Sequence, residues 1–190
     1  MKTYSRAPVR FDPAGGGTDA PPYSTEYGGC FVNISVARYI YAEFEILGGG
    51  EGVSIHSHDL RESVHAGSVE ELQTDGTLDL LKAYVKRIVP AGTSCRLATQ
   101  SDIPARTGLG GSGALGVAVV AAITRALGQD LDRAAIAELA NEIERVDFGS
   151  AGGNQDSYGA AFPGAKRIIC HQGGGTDCEE IPMDPETAAQ

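Results

Sequence analysis

The 190-residue chain predicts an α+β fold: a mixed, largely antiparallel sheet with helices packed on one side. Three observations predict it. An apolar alternation of period two runs over residues 30–46, a short strand pattern follows within a few residues, and two helical patterns come in succession only after a glycine-rich loop in mid-chain. That order, strands, helix, strand, loop, two helices, is not the regular strand-helix alternation of a doubly wound parallel sheet.

In the first pattern the even positions Cys30, Val32, Ile34, Val36, Ile40, Ala42, Phe44 and Ile46 are apolar. Asn33, Ser35, Glu43 and Glu45 fall on the other face, and Arg38 interrupts the apolar side. This reads as one long strand or a bent pair, entered from a turn at Gly28 and Gly29. The GGGEG at 48–52 reads as a hairpin connection into a strand over 53–57. Thr77 is placed to cap a helix reaching about Val89, because Leu78, Leu81, Val85 and Ile88 recur at three- and four-residue intervals before Pro90 stops it. A strand is expected over 95–100, an apolar helix over 114–127 ending near Gly128, and a second helix from Asp132 with the stripe Ile136, Leu139, Ala140, Ile143 and Val146. Residues 148–164 break that helix with small side chains and place Asp156 in a flexible, glycine-flanked turn. Residues 167–170 read as a further strand and 173–190 as loop with an acidic tail. The string GGGTD occurs at 15–19 and again at 173–177; with unlike flanks it reads as chance rather than as a repeat.

With 42% hydrophobic and 21% charged residues, the chain can bury the core of one large domain, or of one domain plus part of another. A net charge of -10 argues against nucleic acid and against an anionic membrane surface as partners, since both need concentrated Lys and Arg. An anionic small ligand would be held by backbone amides, a few arginines and a divalent metal. Cys30, Cys95, Cys170 and Cys178 show no CxxC spacing, which favours thiols in a reducing compartment and no disulfides. The N-terminus MKTYSRAPVRF lacks the apolar core of a signal peptide, and the longest apolar stretch, 114–123, is too short to span a bilayer, so a cytoplasmic location is expected.

The segment PARTGLGGSGAL at 104–115 reads as a phosphate cradle. Gly108, Gly110, Gly111 and Gly113 uncover backbone N–H groups and permit positive φ, so a polyphosphate can approach main chain, and the helix that follows adds a partial charge of roughly +0.5 at its N-terminus. No lysine follows, which excludes the GxxxxGK[ST] arrangement. Gly108, Gly110 and Gly113 also fit GxGxxG, but a polar, proline-containing stretch separates them from the strand at 95–99, unlike a dinucleotide fingerprint; a purely structural turn is the plainer alternative. His56 and His58 form an HxH with no third metal ligand in register.

Three segments stand out together: PVRFDPAGGGTDAPPY, PARTGLGGSGALGVA and EIERVDFGSAGGNQDSYGAAFPG. Their order and spacing resemble the GHMP kinases, the superfamily of galactokinase, homoserine kinase, mevalonate kinase and bacterial D-glycero-D-manno-heptose 7-phosphate kinase. The triple glycine before Thr18 and Asp19, the PPY, and GGNQDSYGAAF resemble the heptose kinases most. The resemblance implies a ribosomal protein S5 domain 2-like fold, with residues 1–170 as the N-terminal ATP-binding domain and 171–190 as the start of a connection to a C-terminal domain. It implies phosphoryl transfer from ATP, with Mg2+, to a sugar hydroxyl, the anomeric one in the heptose case. Galactose, fucose and mevalonate-like acceptors remain alternatives, as does a non-catalytic nucleotide- or sugar-binding module. The expected partner is a small sugar or sugar phosphate, and the resemblance leaves room for a dimer.

The same resemblance implies the site. Gly108, Leu109, Gly110, Gly111, Ser112 and Gly113 would hold the terminal phosphates, Ser112 and Glu144 the metal. Asp156 would lie beside the acceptor hydroxyl and Arg10 would pair with it and with the transferred group. Gly17, Thr18 and Asp19 would read sugar hydroxyls, with Tyr23 closing the same space. Family loops usually carry more hydroxyls around GLGSS; here Gly111 and Gly113 stand in their place and only Ser112 remains. Without the resemblance these residues read as a turn aspartate, a solvated helix-face glutamate and a surface arginine.

Overall fold

Two long antiparallel strands, β1 (Lys2–Ala14) and β2 (Gly29–Ile46), form the axis of the fold in the computed structural model, which describes residues 1–150 and 152–184. A short helix, α1 (Tyr23–Tyr27), lies between them in sequence. β1 runs along one edge of β2. The other edge carries two strands end to end, β6 (Ala165–Cys170) beside residues 29–34 and β5 (Cys95–Ser101) beside residues 40–46. From β5 the sheet continues through β3 (Val53–Ser57), paired in parallel, to β4 (Glu62–Ala66); from β6 it continues to β7 (Thr176–Glu180). The helices are α2 (Asp79–Ile88), α3 (Gly111–Ala126), α4 (Arg133–Glu142) and α5 (Gln155–Ala161), with a π-helical turn, Ile143–Asp147, continuing α4. The expected largely antiparallel sheet with helices on one side is the fold found.

The apolar helix α3 owes its composition to burial on nearly every side. Ala118, Val119, Val120, Ala122 and Ile123 are all fully buried, and α3 packs on β1 and β2 with α2, α4 and α5 around it. β1 meets it with hydroxyls as well as with Ala7 and Val9: Thr3 Oγ1 donates to the Ala122 carbonyl at 2.7 Å, and Ser5 Oγ donates to that of Ala118. These polar inward residues hide β1 from any apolar alternation, and the sequence reading has no strand there.

Several expectations are corrected. β2 is one continuous strand, but its faces change over. A register shift against β1 carries residues 36 to 39 past Val9 and Pro8, so Phe31 and Asn33 face the helices on one side of the shift and Ile40, Ala42 and Phe44 on the other. Cys30 is therefore exposed and Asn33 fully buried, the reverse of a single alternation. Residues 48–52 do not close a hairpin, because β5 lies between β2 and β3. Thr77 does not cap α2; Leu78 holds the N-cap position, and the Asp79 carboxylate accepts from the N–H groups of Asp75 and Gly76. Asp132 does cap α4, accepting from Ala135 N–H at 2.8 Å. Val146 leaves the apolar stripe, since the wider π turn rotates it outward to 70% exposure. Thr176–Glu180 is a strand of a hairpin with β6, where the sequence reads loop. Among the described residues no helix is long and apolar enough to cross a membrane.

Candidate active site

The glycine loop ends β5's connection and opens α3. Gly108 and Gly110 take φ of 75° and 69°, and Gly110 is the N-cap of a 16-residue helix with no side chain capping it. The first N–H groups of α3 are thus offered to a ligand, with the helix dipole behind them. β1 is stitched to this loop by Arg10: its N–H donates to the Leu109 carbonyl at 3.0 Å and its Nη1 to the Gly108 carbonyl at 2.9 Å.

The same guanidinium reaches Asp156. Arg10 Nε donates to Asp156 Oδ1 at 2.8 Å, and Nη2 donates to the same oxygen. Asp156 sits in the first turn of α5, not in the flexible turn expected from its glycine neighbours. Two glycines explain how its carboxylate comes so close to the α3 N-terminus. A Cβ on Gly113 would stand 2.4 Å from Asp156 Cβ and 2.7 Å from its carbonyl carbon; a Cβ on Gly110 would stand 2.9 Å from Arg10 Nε and 3.2 Å from Asp156 Oδ1. The glycine at 113 lets two helix starts touch.

Glu144 arrives from the π turn. Ser112 donates its hydroxyl to the Glu144 carboxylate; burial pushes that carboxyl up, the Ser112 hydrogen bond opposes the shift, and the negative charge of Asp156 adds to it. Asp19 is almost fully buried, and its Oδ2 accepts from the N–H of Gln155 at 2.9 Å, so it fixes the start of α5 one residue from Asp156. Thr18 Oγ1 is occupied by main chain, donating to Gly15 O at 2.9 Å and accepting from Cys30 N–H at 3.2 Å. Gly17 is exposed with open space around it. The structure therefore gathers Arg10, Asp156, the loop from Gly108 through Leu109, Gly110, Gly111 and Ser112 to Gly113, and Glu144. The Gly17–Thr18–Asp19 limb joins them through Gln155. Tyr23 packs on Tyr27, with ring centroids 5.3 Å apart, and is half exposed. His56 and His58 meet edge to face at 4.3 Å, and among the described residues no three His, Cys, Asp or Glu side chains are grouped to hold a metal.

Residues 76–164 match the family model of the GHMP kinases N terminal domain. Over 169 residues the chain is 40% identical to the D-glycero-alpha-D-manno-heptose 7-phosphate kinase of Campylobacter jejuni, an alignment spanning 86% of this chain and 50% of that one. The matched segment is a GHMP kinase N-terminal domain. The crystal structure of a D-glycero-D-manno-heptose 1-phosphate kinase from Bacteriodes thetaiotaomicron superposes with a TM-score of 0.88 at 32% identity, covering 97% of this chain and 61% of that chain. Lactococcus lactis galactokinase, solved with galactose, superposes with a TM-score of 0.78 over 97% of this chain and 48% of its own; at 17% identity it shares the fold. The chain spans about half the length of the heptose kinase relative, and less of the other curated relatives it matches.

Within this GHMP kinase domain, sequence reasoning missed Asp12, which pairs with Arg10, and Asn33 and Gln155, which hold Asp12. Asp12 Oδ2 lies 2.8 Å from Arg10 Nε and accepts from Gln155 Nε2 at 2.6 Å, while Asp12 Oδ1 accepts from Asn33 Nδ2 at 2.7 Å. No local signal marks them: the sequence reading has no strand at Asp12, and Asn33 falls among the polar positions of an alternating strand.

Proposed function

We propose that the chain is the N-terminal, phosphate-binding part of an ATP-dependent sugar kinase, and that its acceptor is the anomeric hydroxyl of D-glycero-D-manno-heptose 7-phosphate. One observation carries the reading: the Asp156 carboxylate, its guanidinium partner and the uncapped amides of Gly111 to Gly113 meet at one point, from segments 146 residues apart in sequence. The heptose acceptor rests on the relatives described above and on nothing finer.

The donors at the site fit the groups such a reaction needs. A hard dication such as Mg2+ takes oxygen ligands and keeps waters, so one carboxylate, Glu144, and one hydroxyl, Ser112, already touching each other, suit it when phosphate oxygens complete the set. Bound ATP supplies a γ-phosphoryl group whose transition state is loose, so placement counts for more than basicity. The amides of Gly108 to Gly113 hold phosphate oxygens by main chain. Arg10, tied to the loop carbonyl of Gly108, presents a fixed cation where negative charge develops. Asp156 orients the acceptor hydroxyl and takes its proton; its side chain is about one-third exposed, open enough for that hydroxyl to reach it. Asp19 and Gly17 contact sugar hydroxyls, and residues beyond 170 lead toward the remainder of the kinase.

The test is turnover by the full-length protein with Mg·ATP and four acceptors: heptose 7-phosphate, galactose, fucose and mevalonate. Heptose 7-phosphate is expected to give the highest kcat/KM, and Asp156→Asn to lower kcat at least about a hundredfold with Tm retained. Undiminished turnover in Asp156→Asn contradicts the assignment of Asp156, and a higher kcat/KM for another acceptor contradicts the heptose reading.

A further inference from the structure

Arg10 faces two carboxylates that differ in how they are held. Asp156 is about one-third exposed and has Arg10 as its ion-pair partner. The Asp12 side chain is 7% exposed and pinned from two other elements, by Asn33 of β2 at 2.7 Å and by Gln155 of α5 at 2.6 Å, while its Oδ2 stands 2.8 Å from Arg10 Nε. Asn33 is itself fully buried, closely faced by Gly159, where a Cβ would stand 2.5 Å from its amide nitrogen. The Asp12 carboxylate cannot swing without breaking hydrogen bonds from β2 and α5, whereas turning the Asp156 carboxylate to solvent or to a ligand breaks its bonds to Arg10.

We propose that Asp12 is a positioning residue: it anchors the Arg10 guanidinium against the glycine loop independently of Asp156, so that Asp156 is free to leave Arg10 and engage the acceptor hydroxyl. The proposal rests on the reading of Arg10 and Asp156 given above and adds the division of labour between the two aspartates. The Gly108 carbonyl accepts from Nη1 and the Asp12 carboxylate pairs by charge with Nε at 2.8 Å, while the Nε–H itself points to Asp156 Oδ1; the guanidinium is thus held from the loop and from β1 by two contacts that Asp156 does not make. An arginine held by Asp156 alone would turn with it each time an acceptor bound. Burial pushes the Asp12 carboxyl up, against the opposing pull of Arg10 and the Asn33 hydrogen bond, and the negative charges of Asp156 and Asp19 add to the rise.

The experiment reads Arg10 directly. In the 190-residue chain labelled with 15N at arginine, hydrogen exchange of the Arg10 Nη1–H, which is donated to the Gly108 carbonyl and to neither carboxylate, is measured for the parent, Asp12→Asn and Asp156→Asn. Exchange is expected to accelerate at least about tenfold in Asp12→Asn and to change by less than about threefold in Asp156→Asn. The opposite ranking, a loosened Arg10 in Asp156→Asn and an unchanged one in Asp12→Asn, overturns the proposal. If Asp12→Asn lacks the dispersed amide spectrum of the parent, Gln155→Met, which removes one donor from Asp12, gives the decision: faster exchange than the parent supports the anchor, and unchanged exchange contradicts it. None of these readouts involves phosphoryl transfer, so a failed kinase assignment and a failed anchor are told apart.

Discussion

The pentapeptide GGGTD occurs twice, and the two occurrences have opposite fates. At 15–19 it is built into the candidate site: a Cβ on Gly15 would stand 2.2 Å from the Cys30 carbonyl oxygen, Thr18 bridges two main-chain groups, and Asp19 is buried on the start of α5. At 173–177 it is the turn of the β6–β7 hairpin, with open space around Gly173 and Gly174 and an exposed Asp177 paired with His171 at 2.8 Å. Identical residues became a support for Asp156 in one place and a solvent-facing turn in the other. What differs is the long-range packing: β2 and α5 close over the first, whereas the second is tied on by the Gly173 N–H to the Thr25 carbonyl and by Asn154 Nδ2 to Thr176 Oγ1.

That contrast can be broken or sharpened by paired substitutions. The largest difference is expected between Gly15→Ala and Gly174→Ala. Both put a side chain at positive φ, but only the first drives it into backbone, so thermal unfolding should show a loss of about 2–4 kcal/mol for Gly15→Ala against about 1 kcal/mol for Gly174→Ala. Equal losses would mean that the packing of the first turn is not what sets it apart. Next in size, Asp19→Asn should raise the acceptor KM about tenfold or more in the full-length kinase, since a charged hydrogen-bonding group is worth roughly 1.5–3 kcal/mol. Asp177→Asn should leave both kcat and KM within about twofold. A KM that follows Asp177 as closely as Asp19 would refute the division.

A smaller, pH-dependent effect separates the site from the rest of the surface. Burial raises the Glu144 carboxyl in the fold, so the folded protein retains a proton there that the unfolded chain releases; that stabilisation is complete below the ordinary carboxylate range and is lost as pH rises through the raised value. Glu144→Gln should therefore unfold at a higher temperature than the parent near pH 7, by a margin that closes near pH 4, while losing Mg·ATP affinity near pH 7. A margin that grows on acidification would contradict the burial of the charged form.

Much of the architecture was legible because it is local. Period-two and period-3.6 patterns found β2, β5, β6, α3 and α4 to within a few residues, and β3 at its observed bounds. What stayed hidden depends on partners far along the chain. β1 turns hydroxyls toward α3 carbonyls, so its alternation carries no apolar contrast. β5 enters between β2 and β3, which no short-range pattern records. Asp156 is helical because Gly113 and Gly159 let α3 and Asn33 pack against α5, although glycines around an aspartate ordinarily spell a turn. At the site, the glycine loop could be read from its own residues, the pairing of Arg10 with Asp156 only from family resemblance, and the support by Asp12, Asn33 and Gln155 not at all, since it joins three elements through side chains.

We propose, above all, that the start of α3 grips terminal phosphates beside Asp156. The most direct test is an amide NMR titration of the 190-residue chain with a non-hydrolysable Mg·ATP analogue. The account predicts that the largest shifts fall on the N–H groups of Gly108 to Gly113 and on Arg10 Nε, with the turn at 173–177 unmoved. Saturable binding whose shifts spare that loop and cluster elsewhere would contradict it.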